Sequence, residues 1–385
     1  MKIIYVTTTM DESDYIAFAT QWSIPLNPSK QTFHHKLIKA LSVDNEIDVI
    51  SIRPFSRKYC SIYYLDRASN EKENIHWHYL AIPRYKTFKY PACKSQTLDM
   101  LKTMDLKDTI VLTETINPIA LHVANAIKET YKLPVVGVVT ESPSNIGNTT
   151  RKFSVGIFKK GRNFDGYLAM TSGLNTVFNP DNKPNLIFEG IVEDELPQQI
   201  PNEFGRYIFF GGSLQDKYGI YELVEAFKNI EDPSLRLLIC GHHADNERLA
   251  KAIDPDQRIL NLGILSNKKT IQLEMNALAN VDPRPFSEDL DRFSIPTKTY
   301  EYMNSGVITI SVKNSKLKKY FSDNLIWCKS GDTAELYEAM KKVLSLSEEE
   351  RKEFGRLAKE KVQELYSQTN IAKSVNSFLE QFKKD

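Results

Sequence analysis

The sequence predicts an α/β protein made of two Rossmann-like, doubly wound domains, and three observations carry that expectation. The chain has 385 residues, too many for one compact core and suited to two domains of roughly 150 to 200 residues each. Short β-branched runs alternate with helical stripes in both halves, and strand, helix, strand in that order gives a right-handed parallel unit. A Pro- and Gln-rich stretch, Leu196 to Asn202, interrupts the alternation and reads as a linker. The expected division is 1–196, 203–366 and a terminal segment 367–385.

In the first half, Lys2 to Thr7 reads as a buried strand. Gln31 to Leu41 follows as a helix with Phe33, Leu37, Ile38 and Leu41 on one stripe, and Asp48 to Ile52 as the next strand. Ligands bind such sheets at the carboxyl ends of the strands, which places the loop Thr8 to Lys30 at the active edge. Ser29 and Lys30 in that loop are either anion contacts or, for Ser29, a plain helix cap. Thr109 to Glu114 is a strand, Ile119 to Glu129 a helix, and Val135 to Glu141 a strand with Glu141 at its carboxyl end.

Two stretches are basic. Arg53 to Lys102 holds ten Lys or Arg against four acids, a balance of +6, with aromatics interleaved, and a second cluster, Arg151, Lys152, Lys159, Lys160 and Arg162, contains no acid between its ends. Such a mix is either a solvated face with half-buried rings or a surface that docks on anionic headgroups, each basic residue near the membrane contributing on the order of 1 kcal/mol.

In the second half, Tyr207 to Gly211 is a strand, and the turn after it feeds a helix, Ile220 to Ile230, with Ile220, Leu223, Val224, Phe227 and Ile230 on one stripe. Gly211 and Gly212 allow backbone to come close to a ligand, and Lys217 can reach an anion. Leu235 to Cys240 is a strand ending at Gly241-His242-His243. Adjacent histidines point in different directions and have no third ligand nearby, so no metal is expected there. Gln257 to Leu262 and Val307 to Val312 read as strands and Ile271 to Leu278 as a helix. The tail from Ser347 to Phe382 is helical with a break near Ser367 to Asn370, and Ile371, Val375, Phe378, Leu379 and Phe382 form its last apolar stripe.

Composition excludes several classes. With 41% apolar and 26% charged residues the chain is ordinary for a globular protein, and a net charge of +1 gives no global field for nucleic acid. No apolar run approaches the ~18 residues that span a bilayer, and the opening strand followed by acids is unlike a signal peptide. The four cysteines are far apart and form no Cys-x-x-Cys pair. Reduced thiols in a cytoplasmic protein, without zinc, are the simplest reading.

The segment Asp282 to Gly306 organises the rest. It reads as a loop leading into a helix that Ser294 caps, with Pro296 in the first turn and Gly306 as the stop. The free N–H groups and positive dipole end of that helix form an anion site. Thr297, Lys298 and Glu301 share one face and offer a hydroxyl, an ammonium and a carboxylate, while Tyr300 and Met303 pack inward. The plainer alternative is a capped helix with an i,i+3 Lys to Glu pair.

Pro283-Arg284-Pro285, followed by the run Ser294 to Gly306, resembles the donor-site signature of the GT-B glycosyltransferases, most closely family four, the retaining enzymes of bacterial surface glycans. The resemblance covers the chain and is specific from Gly211 to Gly306. It implies the two-domain GT-B fold, with the terminal helix crossing back onto the N-terminal domain and with Asp165 to Leu174 and Asn185 to Asp194 holding the last strands of that domain. It implies that Lys298 meets the donor diphosphate and Glu301 the ribose, and that Gly211, Gly212 and Lys217 form a second donor element. Arg284, Ser294 and Thr297 complete the phosphate site, and Ile264 and Leu265 contact the base. On the other side, Glu141 occupies the place of a His-Asp pair near the reacting sugar, and Ser29 and Lys30 that of a glycine pair beside the acceptor. The chain departs from the pattern at Phe293, where relatives have a second glutamate, and at Gly212, where many have arginine; Asp289, Asp291 or Glu288 is the candidate substitute for the first and Arg284 for the second.

The activity so implied is retaining hexosyl transfer from a nucleotide diphosphate sugar, a UDP-sugar in particular, to a cell-surface glycan or lipid-linked saccharide precursor, without a metal or other cofactor. Lys298, Glu301, Lys217 and Glu141 are the residues assigned to the chemistry. The implied location is cytoplasmic, with peripheral docking on the inner face of the membrane left open. The competing reading is a non-catalytic GT-B accessory subunit that binds a partner transferase or a glycan.

Overall fold

The computed structural model describes residues 1–24, 29–55, 62–143, 150–242 and 246–383, without the side chains of residues 29, 30, 246 and 290. Two compact units divide the chain. The first is Met1–Glu189 with Arg292–Ser294 and Gln368–Asp385, and the second is Gly190–Asp291 with Ile295–Ser367. The changeover therefore falls at Glu189, ahead of the linker read at Leu196 to Asn202.

The first unit runs β1 (Lys2–Thr7), α1 (Glu12–Gln21), α2 (Ser29–Leu41), β2 (Glu46–Ser51), β3 (Tyr64–Leu65), β4 (Ala68–Lys72), β5 (Ile75–Tyr79), β6 (Ile82–Pro83) and α3 (Lys86–Leu101). It continues through β7 (Thr109–Glu114), α4 (Pro118–Tyr131), β8 (Val135–Val139), α5 (Arg151–Gly161), β9 (Gly166–Ala169), α6 (Ser172–Phe178) and β10 (Asn185–Ile187). Eight strands form one sheet in the order β10-β9-β8-β7-β1-β2-β5-β4. β4 pairs antiparallel with β5, and the other neighbours are parallel. The chain leaves β1 toward β2 on one side and returns to β7 on the other, so the carboxyl ends of β1 and β7 flank a topological switch point, the usual place for a site in such sheets.

The second unit runs β11 (Arg206–Gly211), α7 (Ile220–Lys228), β12 (Leu235–Cys240), α8 (Asn246–Ile253), β13 (Ile259–Asn261), α9 (Asn267–Asn276), β14 (Ala279–Asp282), α10 (Glu288–Phe293, of which Arg292 and Phe293 belong to the first unit) and α11 (Thr297–Asn304). Then come β15 (Thr309–Val312), α12 (Ser315–Phe321), β16 (Ile326–Cys328), α13 (Thr333–Ser345) and α14 (Glu348–Tyr366). Its sheet is parallel throughout, in the order β13-β12-β11-β14-β15-β16. The apolar stripe of α7 is buried from Ile220 to Phe227 against Ile208, Leu237 and Val281. On the other face Tyr302 joins Tyr207, Phe209, Leu238 and Leu273. Here too the strand order reverses at the first strand, with β12 on one side of β11 and β14 on the other.

After a break at Ser367, α15 (Gln368–Glu380) belongs to the first unit. Ile371, Val375, Phe378 and Leu379 are buried. Gln368 Nε2 donates to Lys36 O at 3.3 Å, and Asn45 Nδ2 donates to Asn376 Oδ1 at 3.0 Å, which ties α15 to α2. A Cβ on Gly166 would stand 2.4 Å from the Phe382 ring, so the bare backbone there makes room for the end of the apolar stripe.

Several expectations need correction. The stretch read as a loop from Thr8 to Lys30 contains α1, which Asp11 caps by accepting from Ser13 N and Asp14 N. Ser29 is not a cap residue, because α2 already includes it. The strand read to Glu141 ends at Val139. Arg53, counted among surface cations, is buried: its guanidinium donates to Leu80 O at 2.9 Å and to Asp66 O, and burial lowers its pKa to about 10. Lys72 bonds Ser13 at 2.8 Å and pairs with Asp11, and Lys89 donates to Phe55 O at 2.6 Å. Part of the +6 stretch is therefore spent inside the unit rather than on a docking face.

Candidate functional site

In the second unit, loops from the carboxyl ends of β11, β12 and β14 interlock through backbone that only glycine permits. Gly212 N donates to Cys240 O at 2.9 Å and Leu214 N to His242 O at 2.9 Å. Gly241 has φ +142°, and a Cβ there would lie 1.6 Å from Gly212 O. Gly219 has φ +76°, and a Cβ there would lie 2.2 Å from Pro283 O. Left-handed backbone and atomic overlap together exclude side chains at both positions. The result is a fixed rim in which Gly211 ends β11 and Gly212 follows it, Gly241 follows β12 and Pro283 follows β14.

Tyr302 pins that rim to α11. Its buried hydroxyl accepts from Gly211 N at 2.9 Å and donates to Gly211 O at 3.1 Å. β14 pairs with β11 only at Ile208 and Phe209, so the tyrosine serves the Gly211 peptide where that ladder has ended. Burial pushes the phenol well above its usual pKa and keeps it a donor.

The neighbouring turn of α11 carries the charges. Lys298 Nζ is 2.9 Å from Glu301 Oε2 and 3.7 Å from Glu274 Oε1. The side chains are 34%, 18% and 1% exposed respectively, so a half-open ammonium and carboxylate lie over a buried acid. Burial opposes the ammonium, but Glu301 and Glu274 outweigh it and raise Lys298 well above its usual pKa. Lys298 is thus a permanent cation at neutral pH. Beneath it, Thr299 Oγ1 donates to Asp282 Oδ2 at 2.8 Å, joining α11 to the end of β14. Burial raises the Asp282 carboxyl.

Two more cations meet at one ring. Lys217, exposed in the short turn Asp216–Tyr218, has Nζ 5.0 Å from the Tyr218 centroid, and the Arg284 guanidinium is 5.6 Å from the same centroid. At those distances the ring attracts both charges. Ile264 is 44% exposed beyond β13, while Leu265 packs against the Tyr207 and Phe209 cluster.

The start of α11 differs from expectation. Pro296, not Ser294, occupies the N-cap position, and it makes no side-chain bond. Thr297 N donates to Ile295 O and Thr299 N to Pro296 O, each at 2.9 Å, so the row of open N–H groups is shorter than a Ser cap would leave. The cause is the additional helix α10, which places Ser294 in the connection between helices. Thr297 is exposed at the start of α11. Of the acids considered as substitutes at Phe293, Asp291 accepts from Ser315 N at 2.9 Å and Ser315 Oγ at 2.6 Å, whereas Glu288 and Asp289 are exposed.

In the first unit, the switch point holds a carboxylate that the sequence did not single out. Glu114 accepts from Thr7 Oγ1 at 3.2 Å, Thr8 N at 3.1 Å and Thr8 Oγ1 at 3.2 Å. His34 Nε2 lies 3.7 Å from it, and His34 Nδ1 is 2.7 Å from the Tyr5 hydroxyl. Burial lowers the imidazole to about 4, so it is neutral near pH 7. Glu141 is exposed two residues beyond β8. Ser29 and Lys30 lie in the first turn of α2, with side chains outside the described residues. His243 and Cys60 are also outside them. Among the described residues no group of three His, Cys, Asp or Glu is placed to hold a metal, and no helix is long and apolar enough to cross a membrane.

Residues 192–361 match the family model described as Glycosyl transferases group 1. Sucrose-phosphate synthase from Thermosynechococcus elongatus superposes with a TM-score of 0.69 at 13% identity, over 99% of this chain and 98% of that one. A structure described as trehalose-6-phosphate from E. coli bound with UDP-2-fluoro glucose gives 0.69 at 11% identity, over 99% of each chain. Anabaena Alr3699/HepE in complex with UDP gives 0.67 at 12% identity, over 99% of this chain and all of that one. At these identities the likeness establishes the fold, which is GT-B. No curated protein sequence matches the chain.

Proposed function

We propose that this chain is a retaining glycosyltransferase that moves a hexosyl unit from a UDP-sugar to a cell-surface glycan or lipid-linked saccharide precursor. The observation that carries the reading is the Lys298 and Glu301 pair, half open and adjacent to the Tyr302-clamped Gly211, within the segment that matches the transferase model. Lys298 meets the diphosphate and Glu301 the ribose hydroxyls. As the anomeric bond breaks, negative charge grows on the leaving diphosphate, and prearranged cations stabilise it best because they need not reorganise. Lys298, Lys217 and Arg284 supply that charge in this reading, with no metal or other cofactor. Thr297 completes the phosphate contacts, while Gly211 and Gly212, whose N–H groups are taken by the Tyr302 hydroxyl and Cys240 O, leave the rim bare of side chains so that the diphosphate comes close. Ile264, with the Leu265 backbone, takes the base.

Glu141, Ser29 and Lys30 are assigned to the acceptor side. The proposed place of work is the cytoplasmic face of the membrane that holds the acceptor. The competing reading, a non-catalytic accessory subunit that binds a partner transferase or glycan, draws on Phe293 and Gly212, which stand where relatives have a carboxylate and a cation. Measuring UDP release from a panel of UDP-sugars, with glycan and lipid-linked acceptors, separates the two. Turnover with one donor supports the enzyme, and donor binding without turnover for any pairing supports the accessory role.

A further inference from the structure

A cavity of 510 Å³ is lined by helices of the first unit, and none of its lining residues is among those assigned to transfer. Three separate helices contribute to it: Lys94 from α3, His122 and Glu129 from α4, and Lys159 and Lys160 from α5, with Arg162 just after. Glu129 is the single carboxylate among the lining residues. Among the described residues, Lys94, Lys159 and Lys160 form no ion pair, whereas Lys128 on the neighbouring helix face pairs with Asp165 at 2.7 Å. The plain reading of Lys159 and Lys160 is that they complement the carboxyl end of α5. That reading does not account for Lys94 and His122, which converge on the same hollow from other helices.

The floor is rigid. Asn125 Nδ2 donates to Leu121 O at 2.7 Å and Lys160 O at 3.2 Å, and Asn163 Nδ2 donates to Asn125 Oδ1 at 2.9 Å. The Tyr90 ring lies 5.2 Å from Lys160 Nζ and 5.7 Å, edge on, from the His122 ring. Lysines held half buried in a concave surface repel one another unless an anion occupies it. The volume falls within the range of small-ligand sites, which is more than one oxyanion needs.

We propose that this cavity binds a phosphate-bearing ligand, its phosphate oxygens held by Lys94 and Lys160 with His122 alongside, while Arg162, whose guanidinium donates to Val177 O, adds positive charge at the edge. The inference stands apart from the donor-site reading, and either can fail without the other. Burial, with Lys160 and Lys94 opposing its charge and Glu129 favouring it, lowers the pKa of His122. A bound phosphate adds negative charge beside the imidazole and raises that pKa, which gives a local reporter.

The test follows the His122 ring resonances of the whole chain while inorganic phosphate or pyrophosphate is added. In parallel, vesicles of phosphatidylglycerol are compared with vesicles of phosphatidylcholine. The expected result is a saturable upward shift of the His122 titration with one of these probes, weakened at least tenfold in a Lys94→Gln, Lys160→Gln double variant. Glu129→Gln, an exposed surface change, is expected to tighten it. Response to pyrophosphate identifies a soluble ligand, and response only to phosphatidylglycerol a lipid headgroup. A His122 titration indifferent to every probe in the wild-type chain overturns the proposal, as does a response that survives the double variant unchanged.

Discussion

Tyr302→Phe is the most informative single change, because it removes one oxygen and leaves the ring in the core cluster. That oxygen accepts from Gly211 N at 2.9 Å and donates to Gly211 O at 3.1 Å. Gly211 is buried and receives no β14 partner at this position. Its N–H is left without an acceptor, at a cost of about 1 to 3 kcal/mol, and the bond to its carbonyl adds roughly 1 kcal/mol. A loss of about 2 to 4 kcal/mol corresponds to a fall of roughly 4 to 16 °C in the melting midpoint of a domain this size. The assay pairs thermal denaturation with calorimetric titration of UDP, because a freed Gly211 peptide also loosens the rim proposed to hold the diphosphate. An unchanged midpoint refutes the clamp. A lowered midpoint with unchanged UDP affinity refutes the link between clamp and donor site.

Gly212→Arg is expected to fold and to bind UDP more tightly. A Cβ at Gly212 meets only the Phe210 ring, at 3.5 Å, and Gly212 has no left-handed φ. One new charge-assisted contact is worth about 1.5 to 3 kcal/mol, and a weaker or unaltered Kd for UDP by calorimetry counts against the proposed course of the phosphates. Acid sensitivity is expected from His34, which takes a proton near pH 6.5 when unfolded and at about 4 when folded. Its contribution is complete above pH 6.5 and is lost as pH falls toward 4, up to roughly 3 kcal/mol in all. Urea midpoints at neutral and mildly acid pH should therefore diverge less in His34→Gln than in the wild type, and equal divergence removes His34 as the cause.

Regular alternation made most of both sheets legible from sequence. The strands at Lys2, Thr109, Val135, Tyr207 and Leu235 and the α7 stripe all show a local period, and local period is what sequence reveals best. α10 was missed because a short acidic run after Pro283-Arg284-Pro285 has no apolar stripe to announce it, and this same helix deprived Ser294 of its capping role. Arg53 was counted as surface charge because composition says nothing of environment. Only the fold brings Leu80 and Asp66 carbonyls to its guanidinium. Glu114 was passed over for a similar reason, since its partners Thr7, Thr8 and His34 lie far away in sequence. Lys298 and Glu301 were legible because helical spacing fixes an i,i+3 pair, while Glu274, one helix earlier, carried no such mark.

The central claim is that Lys298 holds the phosphates of a nucleotide. Titrating UDP and uridine into the wild type and into Lys298→Gln isolates that contact, since uridine has no phosphate. The account predicts that UDP binding weakens by roughly 10- to 150-fold, the equivalent of 1.5 to 3 kcal/mol, while uridine binding stays unchanged. Equal UDP affinity in the two proteins, or an equal loss for UDP and uridine, contradicts it.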